Sequence, residues 1–433
     1  MAPTHRLLLL CPTRAYKTAD FLRAADALKL PLEVVVATDE RSSVEALSGG
    51  GLMTVPMDDE ARALEAIAAA HARHPFDAIV AVDARYSVVA ASACRALGLR
   101  SNDPEAVRRA GDKRATRRAL AAAGLPGPRF VDLDRNDDPA ACLDRVVEAV
   151  GLPCVLKPLG LSGSRGVMRA DDGPQFVAAF LRLRRLLASL DPDPLHHRIL
   201  VESYMDGQEV AVEGLMRGGD LEILAIFDKP DPLVGPFFEE TIYVTPSRHP
   251  QALQQAIGAC AAQAAWALGL TEGPIHAEVR LCQDGPKALE VAARSIGGLC
   301  ARTLVFASGA GLEEIILRHA LGLDTPLEVD TRAAGVMMIP IPGAGLLKST
   351  DATEARQVPG IEDVIITHAL SVIRPLPEGD SYLGFILARG EEPAEVEDAL
   401  RKAHGSLSVV IVDDPARCED QQAPQGLKPT SRT

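Results

Sequence analysis

The sequence predicts an α/β protein: a doubly wound parallel sheet over about the first hundred residues, a larger mixed region, and a C-terminal α+β unit. Two observations near the N-terminus carry the first part. The runs "RLLLLC", "LEVVVATD", "GLMTVPMD" and "FDAIVAVD" are short, apolar and β-rich, as strands covered on both faces are. Ala-rich stretches with helical periodicity, such as "DEARALEAIAAAHARH", separate or follow them, and that alternation implies parallel strands with crossover helices. The turn after the first strand, "CPTRAYKT", has no glycine fingerprint, so no dinucleotide site is expected there. A third observation marks a change of unit. "RSNDPEAVRRAGDKRATRRALAAAGLPGP" reads as a basic helix closed by Gly124 and Pro126, which places a boundary near residue 108. From Ala333 onward come the strands "GVMMIPIPG", "DVIITHAL" and "YLGFILARG", the helix "EEPAEVEDALRKAHG" and the strand "LSVVIV". Residues 413–433 are polar and rich in Pro and Gly, and are expected to form a disordered tail.

The composition excludes several classes of function. Lys plus Arg number 45 against 59 Asp plus Glu, a net charge of −14, which argues against binding that depends on neutralising nucleic-acid phosphates. It leaves room for a small anion in a local basic pocket. The eight cysteines (Cys11, Cys94, Cys142, Cys154, Cys260, Cys282, Cys300, Cys418) include no CxxC pair, so neither a zinc site nor a disulfide framework is expected. The apolar run Leu7–Cys11 is too short for a signal-peptide core, and no later run approaches a membrane span. The expectation is a soluble cytoplasmic protein.

Chemistry enters at "IHAEVRLCQDGPKALEVAARSIGG", Ile275 to Gly298. Both halves alternate with period two around "QDGPK", the pattern of a hairpin. His276, Glu278 and Arg280 share one face of the first strand; Ala288, Glu290, Ala292 and Arg294 share a face of the second. A loop centred on Asp284 would set Glu278 across from Glu290, with Cβ atoms roughly 5 Å apart. Facing carboxylates repel unless a cation lies between them, so a metal ion is the first hypothesis. The alternative is a solvated outer face with cross-strand charge pairs.

Upstream, "PCVLKPLGLSGSRGVMRADD" puts Lys157 at the end of an apolar strand, followed by Gly160, Ser162, Gly163, Ser164 and Gly166. Glycines let backbone N–H groups approach phosphate oxygens, serines add donors and the lysine adds charge. It is not a Walker A loop, because the lysine precedes the glycines; an ordinary turn is the alternative. In "ILVESYMDGQEVAVEGLMR" a strand leads into Glu202, and Glu209 follows seven residues later. Such a crossing segment would read an adenine edge with its backbone while Glu209 accepts from ribose hydroxyls. The alternative is a surface hairpin with two solvated glutamates.

Together, "GDKRATRRALAAAGLPGP", "VLKPLGLSGSRGV", "VESYMDGQEVAVEG", "IHAEVRL" and "ALEVAARSIGG" resemble, in order and spacing, the ATP-grasp enzymes across essentially the whole chain. The pattern "E-x-A-A-R" at Glu290–Arg294 and the loop "GPFFEETIYVTPS" look most like the L-amino acid (dipeptide) ligases, with biotin carboxylase and D-alanine–D-alanine ligase as more distant relatives. The resemblance implies an ATP-grasp fold: an N-terminal domain over 1–108, an ATP-grasp region over 109–330 with a mobile small subdomain at about 125–205, and a C-terminal domain over 331–412. It implies that Lys113 and Lys157, with Lys229 as a third candidate, contact ATP phosphates under the Gly160–Gly166 loop. Glu202 and Tyr204 would lie at the adenine hinge and Glu209 at the ribose. Glu278 and Glu290 would hold Mg2+ (two ions, with Mn2+ as an alternative), and Arg294 would stabilise charge on an acyl phosphate and a tetrahedral intermediate. Ala292 stands where most of the superfamily has a metal-binding asparagine, a departure that the dipeptide-ligase-like members share.

The implied reaction joins an amino acid or related carboxylate to an amine through an acyl phosphate, releasing ADP and phosphate. Glu240, with Tyr243 nearby, would bind a substrate ammonium, and His276 would contact substrate or phosphate or serve a structural role. Gly298 replaces a bulky aromatic of some relatives, which implies room for a larger substrate. Partners are small molecules, with no nucleic acid and no membrane; a homodimer is one assembly the resemblance admits. Two alternatives stay open: a carboxylase-like or other acyl-phosphate ligase with a different nucleophile, and a nucleotide-binding regulatory protein without catalysis.

Overall fold

The structure is a computed structural model. It describes residues 5–12, 17–39, 51–190, 193–306, 308–325, 327–328, 332–368 and 371–413. The tail expected over 413–433 lies outside the described residues apart from Asp413, as do Cys418 and residues 13–16 of the turn after the first strand.

The N-terminal strands β1 (His5–Leu10), β2 (Leu32–Thr38), β3 (Gly51–Thr54) and β4 (Ala78–Ala81) form one parallel sheet in the order β3-β2-β1-β4. Helix α1 (Thr18–Ala27) covers one face, and α2 (Glu60–Arg73) and α3 (Ser87–Leu97) cover the other. Leu8 and Leu10 pack with Ile67 and Val89, whereas Leu7 and Leu9 face α1 and the rest of the molecule, so every residue of the run from Leu7 to Leu10 is buried. The single basic helix expected next is two: α4 (Pro104–Gly111) and α5 (Lys113–Ala122). Asp112 breaks them, because its carboxylate accepts from the N–H groups of Arg114 and Ala115 and caps α5.

A four-stranded antiparallel sheet follows, with β5 (Phe130–Asp134), β6 (Cys154–Pro158), β7 (Met168–Ala170) and β8 (Arg198–Ser203) in the order β5-β8-β6-β7. Helices α6 (Pro139–Ala149) and α7 (Gly173–Ala188) pack on it. The remaining strands are β9 (Gln208–Arg217), β10 (Asp220–Asp228), β11 (Ile242–Thr245), β12 (Gly273–Cys282), β13 (Gly285–Ala292), β14 (Ala333–Ile339), β15 (Gly345–Asp351), β16 (Ile361–Ile366), β17 (Val372–Ile373), β18 (Gly384–Gly390) and β19 (Ser408–Val412). Eight of them build one sheet, β13-β12-β9-β10-β11-β14-β18-β16, which continues across residue 330. Helix α8 (Gln251–Leu268) covers its β9–β13 end, and α9 (Leu312–Ala320) packs between this sheet and the N-terminal domain. Helix α10 (Pro393–Gly405) covers β14 and β18. No described helix is long and apolar enough to cross a membrane.

Candidate functional site

Alternation along β12 divides its side chains between two environments. Ile275, Ala277 and Val279 enter the core under α8, while His276, Glu278 and Arg280 line a cavity of about 820 Å³ on the opposite side. Glu278 pairs with Glu290 across β12 and β13, as the alternation predicts, but by a different route. The turn holds two residues, Gln283 and Asp284, and pairs Cys282 with Gly285. That register would set Glu278 opposite Leu289. One extra residue in β13, between Ala288 and Glu290, shifts the ladder and brings Glu290 opposite Glu278. The bulge also corrects the expected face of β13: Ala288 packs with Val291 under α8, and Leu289 lines the cavity with Glu290. Arg294 also lines the cavity, but from a bend beyond the end of the strand at Ala292 rather than from the strand face.

Most cations of the cavity are matched to carboxylates. Lys157, at the end of β6, lies 2.7 Å from Glu202 Oε2, and Arg117 of α5 approaches the other oxygen to 2.5 Å. All three are buried. Burial opposes charge on Glu202, but Arg117 and Lys157 outweigh it and hold the carboxyl down to about 2. Burial lowers the Lys157 pKa, against the pull of Glu202. The Glu202 carboxylate, expected at an adenine edge, is therefore committed to this triad. Lys113 Nζ donates to the carbonyl of Leu161 at 2.6 Å and lies 3.5 Å from Glu290 Oε2, tying α5 to both the glycine loop and the hairpin.

A second charge cluster surrounds Lys229. Its ammonium lies 2.5 Å from Glu209, 2.6 Å from Glu240 and 3.1 Å from Glu278, with the Tyr243 ring 4.7 Å away. These three carboxylates offer oxygens within 4.8 Å of one another. Arg280 adds a contact to Glu209 at 3.0 Å. Burial lowers the Lys229 pKa, but the glutamates outweigh it and raise it well above the usual value. With more negative than positive charge in the cluster, Glu240 is pushed up by burial and by Glu278. Glu278 is held down chiefly by Lys229, against its burial. Glu209 is thus held by two cations in this state rather than turned to a hydroxyl ligand. Glu278 and Glu290 are hard oxygen donors on facing strands, each now balanced by a lysine, and that donor set fits a magnesium ion.

His276 Nδ1 lies 3.3 Å from Glu213 and Nε2 lies 3.9 Å from Glu278. Burial works against its charge, and the two glutamates prevail, raising its pKa. Glu213 also accepts from the Ile296 N–H at 3.0 Å and 3.1 Å, so it positions both His276 and the loop after Arg294. Ser162, Gly163 and Ser164 line the cavity; Gly163 and Ser164 both have positive φ, rare for the serine, which turns successive amides the same way. Gly166 is not in the lining: it has φ +75° and donates its N–H to the Pro377 carbonyl at 2.9 Å. Tyr204, Tyr243 and Glu240 line the cavity; Lys229 is outside the lining and touches it through Glu209, Glu240 and Glu278.

Several residues of the site escaped the sequence reading. Arg117 lies four residues after Lys113, on the same helix face, and that spacing was the available signal. Glu213 shares a strand face with Glu209 by period two. Lys17 enters from the carboxyl end of the N-terminal sheet, where open parallel sheets bind ligands. The cavity also meets His368, Asp380 and Tyr382 of the C-terminal region.

Gly298 lines the cavity at φ +60°, and a Cβ there would stand 2.5 Å from Met338 Sδ. Gly298→Ala is expected to cost about 1–2 kcal/mol, from the left-handed backbone alone. Urea unfolding checks it, and a stable Gly298→Ala would mean that the loop relaxes freely. The seven described cysteines are free, and burial pushes the Cys11, Cys94 and Cys154 thiols up to about 12, so they are inert.

Comparison with known proteins accords with this architecture. Residues 22–100 match an ATP-grasp N-terminal domain, 150–303 an ATP-grasp domain and 337–412 the L-amino acid ligase C-terminal domain 2. The chain is 31% identical to a D-alanine–D-alanine ligase of Cupriavidus metallidurans over 48% of its own length and 62% of the relative. It is 30% identical to the alanine–anticapsin ligase of Bacillus subtilis over 51% of its length and 49% of that protein. The chain thus spans about half to three-fifths of the length of these relatives. The crystal structure of an L-amino acid ligase from Bacillus licheniformis superposes with a TM-score of 0.76 at 25% identity, covering 95% of this chain and all of that one. With three domain models matched in chain order on the sheets described above, the chain has the ATP-grasp fold and is similar to the L-amino acid ligases.

Proposed function

We propose that this protein is an ATP-dependent carboxylate–amine ligase. It would form an amide bond between an amino acid or related carboxylate and an amine, through an acyl phosphate, releasing ADP and phosphate in the cytoplasm. One observation carries the reading: a single cavity is lined by the facing pair Glu278 and Glu290, by Lys113, Lys157 and the Ser162–Ser164 loop, and by Arg294. A carboxylate is a poor electrophile until its oxygen is phosphorylated, and phosphoryl transfer needs alignment and charge neutralisation more than covalent help. Lys113 and Lys157, both in the cavity lining, would hold phosphate oxygens, and the amides of the glycine loop would close over them. Magnesium, held by Glu278 and Glu290, would neutralise phosphate charge when bound. Arg294 would offset the oxyanion as the amine attacks.

A phosphate-release screen over pairs of amino acids and amines, with ATP and Mg2+, tests the proposal. Release that requires both partners is expected; release indifferent to the amine, or none, would overturn it. Arg294→Lys keeps the charge but loses the planar fork of donors. Its rate should fall tenfold or more, about 1.4 kcal/mol, while ATP affinity measured by calorimetry barely moves. A loss of ATP affinity at an unchanged rate would make Arg294 a nucleotide contact instead.

A further inference from the structure

We propose that Glu378 is a positioning residue: the loop 374–382 of the C-terminal region straps the glycine loop over the cavity, so that this region sets how long the cavity stays closed. The inference rests on the ligase reading above for what the closed glycine loop does. Arg165 and Glu378 are 213 residues apart in the chain, yet several contacts join their segments. Gly166 donates its N–H to the Pro377 carbonyl at 2.9 Å. Arg165 donates through Nε to the Glu378 carbonyl at 3.1 Å, and its Nη1 lies 3.4 Å from Asp380. Arg182 of α7 grips the Glu378 carboxylate with both arms, Nε to Oε1 at 2.6 Å and Nη2 to Oε2 at 2.8 Å. The glycine loop and α7 are packed as one body: a Cβ on Gly166 would stand 2.9 Å from Leu183 Cδ1 and 3.2 Å from Leu186 Cδ2. Holding α7 at Arg182 therefore holds the loop as well.

Arg182 and Glu378 are outside the cavity lining, as are Arg165 and Gly166, whereas Ser164 and Asp380 beside them belong to it. Arg165, one residue beyond Ser164, is thus committed to the C-terminal loop rather than to the phosphate side. The Arg182 guanidinium holds the Glu378 carboxyl below its usual range, as a bidentate pair does. The other end of the strap is rooted in the eight-stranded sheet. Leu383 donates its N–H to the Ile339 carbonyl at 2.9 Å and accepts from the Thr367 N–H at 3.1 Å. Between the two ends, Ser381 and Tyr382 line the cavity. A half-exposed ion pair contributes little to global stability. The same pair, bridging two loops, acts directly on the local opening equilibrium, where a small free energy changes the closed fraction several-fold. Closure keeps water from the reacting phosphate, so a looser strap lets it in.

The test compares wild type, Glu378→Gln, Arg182→Met and the double variant. Trypsin cleavage after Arg165, located by mass spectrometry, reports opening of the loop. Calorimetry with a non-hydrolysable ATP analogue reports affinity, and phosphate released per amide formed reports leakage to water. Each single substitution should speed cleavage and weaken the analogue about fivefold, the upper end for an exposed pair of good geometry. More phosphate should be released per amide, while the thermal unfolding midpoint stays in place. The double variant should be no worse than either single one, because both remove the same contact. Unchanged cleavage in the single variants, losses that add in the double variant, or a lowered unfolding midpoint without faster cleavage would overturn the strap. If no substrate pair releases phosphate, the ligase reading falls, and the strap then stands or falls with the cleavage rates alone.

Discussion

Arg117→Met should cost about 3–5 kcal/mol of folding stability, the range found when one partner of a buried ion pair is removed. Arg117 and Glu202 are each almost wholly buried, and Arg117 also donates to the backbone carbonyls of Ala288 and Leu289. The side chain therefore joins α5, β8 and the β13 bulge in one contact set. Methionine keeps the aliphatic stem but leaves Glu202 with Lys157 alone and the two carbonyls without the Arg117 donor. Urea unfolding of wild type and variant measures the loss, and a change below about 1 kcal/mol would mean that water or a shifted lysine replaces the guanidinium. The triad also sets a pH dependence. The folded-state pKa of Glu202 is depressed from 4.5 to about 2, so its contribution is fully present above pH 4.5 and is lost as pH falls toward 2. Arg117→Met should shrink the acid-dependent part of the unfolding curve along with the total stability.

Glu290→Gln should abolish ATP-dependent phosphate release, a loss of a thousandfold or more corresponding to about 4 kcal/mol in the barrier. The substitution keeps size and removes one ligand charge from the pair facing across β12 and β13. Removing the charge relieves repulsion between the two carboxylates and weakens the Lys113 contact, two small opposed effects, so the fold should hold. Thermal unfolding and phosphate release measured on the same sample separate these effects. Wild-type turnover in Glu290→Gln would remove Glu290 from the metal assignment, whereas a cooperative unfolding curve with no turnover supports it.

The sequence by itself determined the parts whose cause is local. Continuous apolar runs separated by helical periods specify a parallel sheet buried on both faces, and β1 to β4 are that sheet. Period-two alternation placed His276, Glu278 and Arg280 on one face of β12, and they line one cavity. Tertiary structure decided what depends on residues distant in the chain. The bulge at Leu289 follows from fitting β13 between β12 and helices α5 and α8, and no local signal in "PKALEV" marks it. The partners of the buried charges were illegible for the same reason. Glu202 meets Arg117 85 residues away, and Lys17 meets Ser295 278 residues away. A side chain's type and period announce which way it points, but a desolvated charge takes its counterion from whichever element the fold brings to it.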